Sequence, residues 1–266
     1  IHRFATIDST NNWVMDQARS GAPDGLVAVA AEQTAGRGRL GRKWIAPAGG
    51  SLLMSVLLRP TSLPADRLHL ATAAVAMAGA DALGLIAGVT PSLKWPNDLL
   101  ISDKKVAGVL TEVDGPTENG SMAVVVGIGI NCTWPDDLPP EISDIAIAAN
   151  HAAGRPVHTE DVLDSLLEHL ANRLDAGWNT IAREYNSRVA TVGRDVRVEL
   201  ADESFTGMAA EVEHDGALIV ITDAGPRRVL AGDVVHLRPA SFACSPSSNP
   251  ATRSLASGPA KPDPSA

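Results

Sequence analysis

Between Gly36 and Lys43 the chain reads GRGRLGRK, three glycines and four cations with no acid among them. Glycine backbone can turn its N–H groups inward as a nest for an anion. Guanidinium groups grip carboxylate or phosphate through paired hydrogen bonds. Arg37, Arg39, Arg42 and Lys43 on so pliable a frame could close over a multiply charged ligand and exclude water. Trp44 adds a flat face for a purine or a cation. A solvated basic loop is the alternative. The spacing is neither GxGxxG behind a strand nor GxxxxGK[ST], so no dinucleotide fingerprint or Walker loop is indicated.

Four other stretches carry polar groups placed for chemistry. In KWPND, Pro96 restrains Trp95 toward extended geometry, and Asn97 and Asp98 then open a strand. That pair could hydrogen-bond a ligand and help hold Mg2+ near Asp98, since Mg2+ favours carboxylate and carbonyl oxygens. A plain Pro-Asn-Asp turn would leave the same trace. In KKVAG, Lys105 stands just before an apolar strand. There it could stabilise charge at a carboxylate–phosphate centre, with Gly108 admitting a ligand to the backbone, or it could sit in solvent. GIGIN places Gly127 and Gly129 in an apolar strand that ends at Asn131. Glycine weakens a strand, so something needs the space: a ligand, or tight packing under a helix. In DSTNN, Ser9, Thr10 and Asn11 could fix a polar ligand head or serve as a helix N-cap.

Composition narrows the classes. A formal net charge of -9 argues against general nucleic-acid binding, which needs a broad basic face. The two cysteines, Cys132 and Cys244, are far apart and read as reduced thiols in a cytoplasmic protein. The 7 histidines show no ligand spacing, so no fixed protein metal site is expected. HExxH and GxSxG are absent. The run 68–86 is nearly long enough to span a bilayer, but His69 and Asp81 interrupt it, so a buried helix is expected and no membrane partner. No cationic, apolar signal segment opens the chain, whose first residue is Ile and not Met.

The elements that must position these residues follow from periodicity. Strands are expected over 1–7, 26–31, 51–58, 99–101, 106–113 and 123–130, with a long polar loop over 33–50. A helix over 11–19 is capped by Ser9 or Thr10, an Ala-rich helix runs from Pro64 to near Gly84, and Thr159 caps a third. That third helix carries the stripe Val162, Leu163, Leu166, Leu167, Leu170 and Leu174. After Val189 five short strands (195–200, 204–212, 217–221, 227–230, 234–237) suggest a small barrel. The Pro, Ser and Ala tail cannot bury enough surface to order itself. The division is therefore 1–188, mixed α/β; 189–238, all-β; and 239–266, a disordered tail.

Taken in order, DSTN, QTAGRGRLGRKW, KWPND, KKVAG and GIGIN, followed by a small β-domain, closely resemble the biotin–protein ligases (holocarboxylase synthetases) over about residues 4–238. The resemblance implies an ATP-dependent ligase. Such enzymes form biotinyl-5′-AMP from biotin and MgATP and release pyrophosphate. They then transfer biotin to one lysine of the biotin carboxyl carrier domain of acyl-CoA carboxylases. It implies an α/β (α+β) catalytic domain like that of class II aminoacyl-tRNA synthetases and lipoate ligases. That domain has a mixed, largely antiparallel sheet with helices on one side, and an SH3-like C-terminal domain follows. By motif position, Ser9, Thr10, Asn11 and Gln33 would lie at the biotin ureido and ring pocket, lined also by Gly36, Arg37, Gly108 and Gly127. Lys105 and Arg39 would be catalytic, at the biotin carboxylate and α-phosphate. Arg39, Arg42, Trp44, Asn97, Asp98, Gly129 and Asn131 would serve the nucleotide and Mg2+. The basic loop would order when biotin or the adenylate binds.

Such chemistry needs positioning and electrostatics but no protein nucleophile. Carboxylate attack on an α-phosphate brings two anions together, and cations must neutralise them. A carboxylate is already ionised at pH 7, so no general base is needed. Some family members carry arginine where Leu40 stands, which leaves this loop one cation short. No helix-turn-helix module precedes the motifs, so the chain reads as the ligase-only class, a monomer or weak homodimer with no nucleic-acid partner. Two other functions stay open. Lipoate or octanoate ligation is disfavoured by the GRGRxGRxW loop and the terminal β-domain. A biotin-sensing repressor would need a DNA-binding domain upstream.

Overall fold

The structure is a computed structural model that describes residues 1–115, 122–138, 140–230 and 232–237. The expected tail and Cys244 lie outside the described residues. The larger sheet holds β1 (His2–Ile7), β2 (Val27–Gln33), β3 (Ser51–Leu58), β4 (Ser92–Lys94), β5 (Asp98–Ile101), β6 (Lys104–Asp114) and β7 (Ala123–Asn131). Its 7 strands run in the order β1-β2-β3-β7-β6-β5-β4. β1 and β2 pair parallel, and every other pair is antiparallel, so the sheet is mixed as expected. The helices are α1 (Thr10–Arg19), α2 (His69–Ala87), α3 (Pro140–Ser143), α4 (Ala149–Ala153), α5 (Thr159–Ala176) and α6 (Trp178–Arg188).

Alternation along β7 decides what each face of the sheet does. Val124, Val126, Ile128 and Ile130 join the large core with α2 and α5, and Ile128 and Ile130 lie against α2 at Gly79. Ala123 and Val125 face the other way and pack with Val14, Met15 and Ala18 of α1. Helices therefore cover both faces, not one. The α1 face is covered only in part, and Gly127 and Gly129 continue it toward the basic loop. This settles one alternative in the sequence: the GIGIN glycines do not make room for the Ala-rich helix.

Several boundaries moved for local reasons. α2 begins at His69, because Pro64 starts a 3-10 turn over Ala65–Arg67 first. It runs past Gly84 to Ala87 and ends where Gly88 takes the left-handed conformation (φ 71). The stretch Ala65–Ala87 is long and apolar enough to cross a membrane, but 72% of its most apolar window is buried inside the fold. His158, not Thr159, is the N-cap of α5, and Leu167 and Leu174 of its stripe are only partly buried. β4, α3, α4 and α6 were not foreseen. α6 has short polar runs and buries only Ile181 and Tyr185.

The smaller sheet has 5 strands, β8 (Asp195–Glu199), β9 (Ser204–Val212), β10 (Leu218–Thr222), β11 (Gly225–Val229) and β12 (Asp233–His236), in the order β11-β10-β9-β8-β12. All pairs are antiparallel. Its Val196, Val198, Leu218 and Val220 belong to the same buried cluster as α2. Trp95 forms the seam between the sheets. It is 2% exposed, donates its backbone N–H to Thr191 Oγ1 and its indole N–H to Gly216 O, both at 2.9 Å. Ala190 N–H donates to Leu93 O at 2.8 Å beside it.

Candidate active site

Ser9 is the N-cap of α1 by position, but no side-chain hydrogen bond closes that cap. The hydroxyls and amide at this helix start are used elsewhere. Gln33 Oε1, at the end of β2, accepts the Thr10 N–H at 2.7 Å. Ser55 Oγ of β3 lies 2.7 Å from Thr10 Oγ1 and 2.6 Å from Asn11 Oδ1. The Thr10 hydroxyl donates to Gln33 Oε1 at 3.0 Å, and the Ser55 hydroxyl proton is shared between Thr10 Oγ1 and Asn11 Oδ1. Asn11 Nδ2 then donates to Glu112 Oε2 at 2.9 Å. Glu112 also holds Arg37 through both oxygens, at 2.9 and 2.5 Å. Ser9, Thr10, Asn11, Gln33, Arg37, Trp44, Gly108, Gly127 and Gly129 all line one inner pocket.

Two glycines keep that pocket open. A Cβ at Gly127 would overlap the Asn11 carboxamide oxygen, and one at Gly129 would lie 2.5 Å from the Trp44 ring. The loop over 33–50 is also more ordered than its polarity suggests. Trp44 N–H donates to Gly36 O at 3.0 Å and Gly38 N–H to Arg42 O at 2.7 Å, closing a small hairpin. Its tip is Leu40, 67% exposed and in the left-handed region (φ 54). Gly36 lines neither cavity described here; its Cβ would meet Trp44 O at 2.7 Å, so it serves the neck of the hairpin. With Arg37 and Trp44 folded in, the inner pocket is only about 30 Å³. Ligand pockets usually need ~300 Å³ or more, so the hairpin must shift to admit one.

Beyond Trp44 and Gly108 the pocket continues into a cavity of about 580 Å³. Its walls carry Arg39, Arg42, Lys94, Asn97, Asp98, Lys105 and Asn131. Lys105 Nζ lies 2.6 Å from Asp98 Oδ1 and 5.5 Å from the centre of the Trp44 ring. Lys94 Nζ reaches the same carboxylate at 4.0 Å. Burial pushes the Lys94 amine below its ordinary pKa, against the pull of Asp98. Burial likewise lowers Arg39, which Asp233 and Asp98 oppose. A guanidinium stays charged regardless, so burial raises the strength of its field and not its proton loss. Arg39 Nη1 reaches Asn97 Oδ1 at 3.4 Å, while Asn97 Nδ2 donates to Val109 O at 2.6 Å. Asn131 is 1% exposed; its Nδ2 donates to Lys105 O and Ile147 O, at 3.3 and 3.1 Å. Asn131 Oδ1 and Trp44 Nε1 are buried with no hydrogen-bond partner among the described residues. A polar ligand in the cavity could satisfy both atoms.

The folded chain thus brings the five sequence motifs to one place, split into a neutral polar end and a cationic end with Trp44 between. Four contributors were not among the site residues expected. Ser55 and Glu112 sit in apolar strands whose pattern hid them, although a serine inside SLLMSVLL is itself a signal. Lys94 belongs to a motif already noted, and Asp233 comes from the smaller sheet. Among the described residues no group of three His, Cys, Asp or Glu side chains could hold a metal ion. An inner polar pocket opening onto a cavity of arginine and lysine suits a ligand with a neutral head and an anionic end. It would meet a second, polyanionic ligand there.

Known proteins give that arrangement a family. The pattern described as the Biotin/lipoate A/B protein ligase family matches residues 4–131, and the Biotin protein ligase C terminal domain matches 191–237. The chain is 37% identical over 251 residues to the Biotin--[acetyl-CoA-carboxylase] ligase of Mycobacterium tuberculosis, covering 88% of each. It is 32% identical over 233 residues to the Bifunctional ligase/repressor BirA of Bacillus subtilis, covering 86% of this chain and 71% of the relative. The solved structure of the biotin protein ligase from Aquifex aeolicus in complex with biotin and ATP superposes with a TM-score of 0.73 at 29% identity, over 89% of this chain and 98% of that one. The chain belongs to the biotin–protein ligase family.

Proposed function

We propose that the chain activates biotin with ATP and transfers it to a lysine of a biotin-dependent carboxylase. The observation that carries this is the continuity of the two cavities across Trp44 and Gly108. Biotin's neutral ureido group would take the place of contacts now made among Thr10, Asn11, Gln33 and Ser55, while Gly127 leaves room for its rings. Its carboxylate would then emerge beside Lys105 and Arg39. The adenylate and phosphates would lie along Arg42, Trp44, Asn97, Asp98, Gly129 and Asn131. Arg37 and Gly108 line the junction, and Gly36 acts through the hairpin. Gly129 lies under the Trp44 ring, so its part in nucleotide binding is indirect.

The residues of this chain act by binding and charge. Arg39 and Lys105 hold the carboxylate and the α-phosphate close together and neutralise both. Closure of the hairpin keeps water from the mixed anhydride until the acceptor amine attacks. Mg2+ would enter with the nucleotide and shield its phosphates. Asp98, one of the carboxylates on the cavity wall, would help hold it once Lys105 and Lys94 release it.

The same reading assigns 1–188 to biotin and nucleotide binding, on a fold like class II aminoacyl-tRNA synthetases. It assigns 189–238 to an SH3-like domain, supported by the five antiparallel strands between Asp195 and His236. The acceptor is the biotin carboxyl carrier domain of an acyl-CoA carboxylase. The setting is the cytoplasm, consistent with a free, buried Cys132, and the protein acts as a monomer or weak homodimer. Lipoate or octanoate ligation is not favoured, because the C-terminal match is to biotin ligases. A repressor's DNA contact finds no support in a net charge of -9. Biotin-dependent pyrophosphate release from MgATP is the direct test; release driven by lipoate but not biotin would contradict the reading.

A further inference from the structure

The smaller sheet sends one carboxylate into the cationic cavity. Asp233, the first residue of β12, forms an ion pair with Arg42 on the hairpin. Asp233 and Val235 are both part of the cavity wall, and Asp233 also acts on the charges of Arg39 and Lys94. The two ends of the pair differ in freedom. Asp233 is fixed: β12 pairs with β8 through Asp233 to His236, and the smaller sheet is bolted to the larger by Trp95, Thr191 and Gly216. Arg42 rides a glycine-rich hairpin, with a side chain 66% exposed against 28% for Asp233. An ion pair that open to solvent is weak. It can hold a loop and still lose its guanidinium to a group of higher negative charge.

We infer that Asp233 is a positioning residue for the adenylation reaction: it latches the basic hairpin to the smaller sheet and yields Arg42 to the phosphates of the incoming nucleotide. The latch itself rests on the ion pair alone. The exchange step rests on the proposed function, since it needs a polyphosphate in the cavity. Asp233 also repels that polyphosphate, so its charge sets a threshold for nucleotide entry as well as an anchor for the loop.

The test compares the full chain with Asp233→Asn and Asp233→Glu. Without ligands, amide exchange over Gly36–Trp44 should be about two- to fivefold faster in Asp233→Asn and unchanged in Asp233→Glu. Exchange over Asp195–Glu199, which pairs with β12, should not move. With saturating biotin and MgATP the three proteins should converge. In biotin-dependent pyrophosphate release, KM for ATP should fall about two- to fivefold in Asp233→Asn, with kcat within about twofold of wild type. Unchanged loop exchange in Asp233→Asn would overturn the latch. So would faster exchange that spreads to Asp195–Glu199, which would make Asp233 a folding residue. A KM for ATP that rises would overturn the exchange of partners. If the wild-type protein released no pyrophosphate at all, the proposed function would fail while the ligand-free exchange still tested the latch.

Discussion

Lys105 Nζ and Asp98 Oδ1 lie 2.6 Å apart, at the meeting of β5 and β6 and beneath the edge of the Trp44 ring. Two sequence motifs, KWPND and KKVAG, are thereby joined into one charged unit. Their register explains it: Asp98 pairs with Gly108, and Leu100 with Lys105, across an irregularity between Leu99 and Leu100. Under the proposed function, this pair is the place where biotin's carboxylate would meet phosphate.

Lys105→Ala should therefore slow biotin adenylation by about a hundredfold or more, the usual effect of removing a charge-stabilising donor. The fold should survive, because Lys105 is partly exposed and Lys94 remains near Asp98. Pyrophosphate release and thermal unfolding, measured on the same preparation, check both halves. Near-wild-type release would remove Lys105 from the reacting centre.

Gly127→Ala and Gly129→Ala should separate the two cavities. The added methyl at 127 collides with Asn11 and should weaken biotin binding about tenfold or more, read by calorimetry. The methyl at 129 displaces Trp44 and should act chiefly on KM for ATP. Equal effects of both substitutions on biotin affinity would contradict the division at Trp44.

Glu112→Gln should disturb biotin and not ATP. Glu112 holds Arg37 and Asn11 at once, so the neutral amide loses the paired, charge-assisted contact with Arg37. We expect KM for biotin to rise several-fold with kcat for adenylation little changed. A matching rise in KM for ATP would place Glu112 elsewhere in the mechanism.

Acid should loosen the seam between the sheets. Burial pushes His69 and His236 each down to about 4 from 6.5, with Arg67 and Arg194 adding to the effect. His236 Nε2 lies 2.9 Å from Thr191 Oγ1 and its Nδ1 lies 3.3 Å from Arg194 Nη1. A neutral ring donating from Nε2 and accepting at Nδ1 satisfies both; a protonated ring would aim N–H at a guanidinium. Above pH 6.5 both rings are neutral folded or unfolded, and nothing is lost. As pH falls from 6.5 toward 4 the unfolded chain gains protons that the folded one refuses, so stability is lost progressively across that window. Melting temperatures between pH 7.5 and 4.5 should fall less steeply in His236→Gln than in the wild type. Parallel slopes would contradict this.

The strands of both sheets other than β4, and α1, α2 and α5, were legible because their apolar periods are regular. So were the motif residues, whose types announce their chemistry. What the residues could not disclose was three-dimensional accounting. Ser55 and Glu112 are polar residues within β3 and β6, and the approach of Thr10, Asn11 and Arg37 gives them work. Asp233 looks like any strand-opening acid until β12 is folded beside Arg42. α6 was missed because it buries only Ile181 and Tyr185. Leu40 was noted as a missing cation. Its backbone takes φ 54 at the hairpin tip, and its side chain is 67% exposed there.

The central claim is that the two cavities joined at Trp44 carry out biotin activation and transfer. Incubate the protein with biotin, MgATP and a biotin carboxyl carrier domain, and weigh the carrier by mass spectrometry. One added biotin per carrier, lost when the acceptor lysine or Lys105 is replaced, is the predicted result. An unmodified carrier, in a reaction where a proven biotin ligase modifies it, would contradict the account.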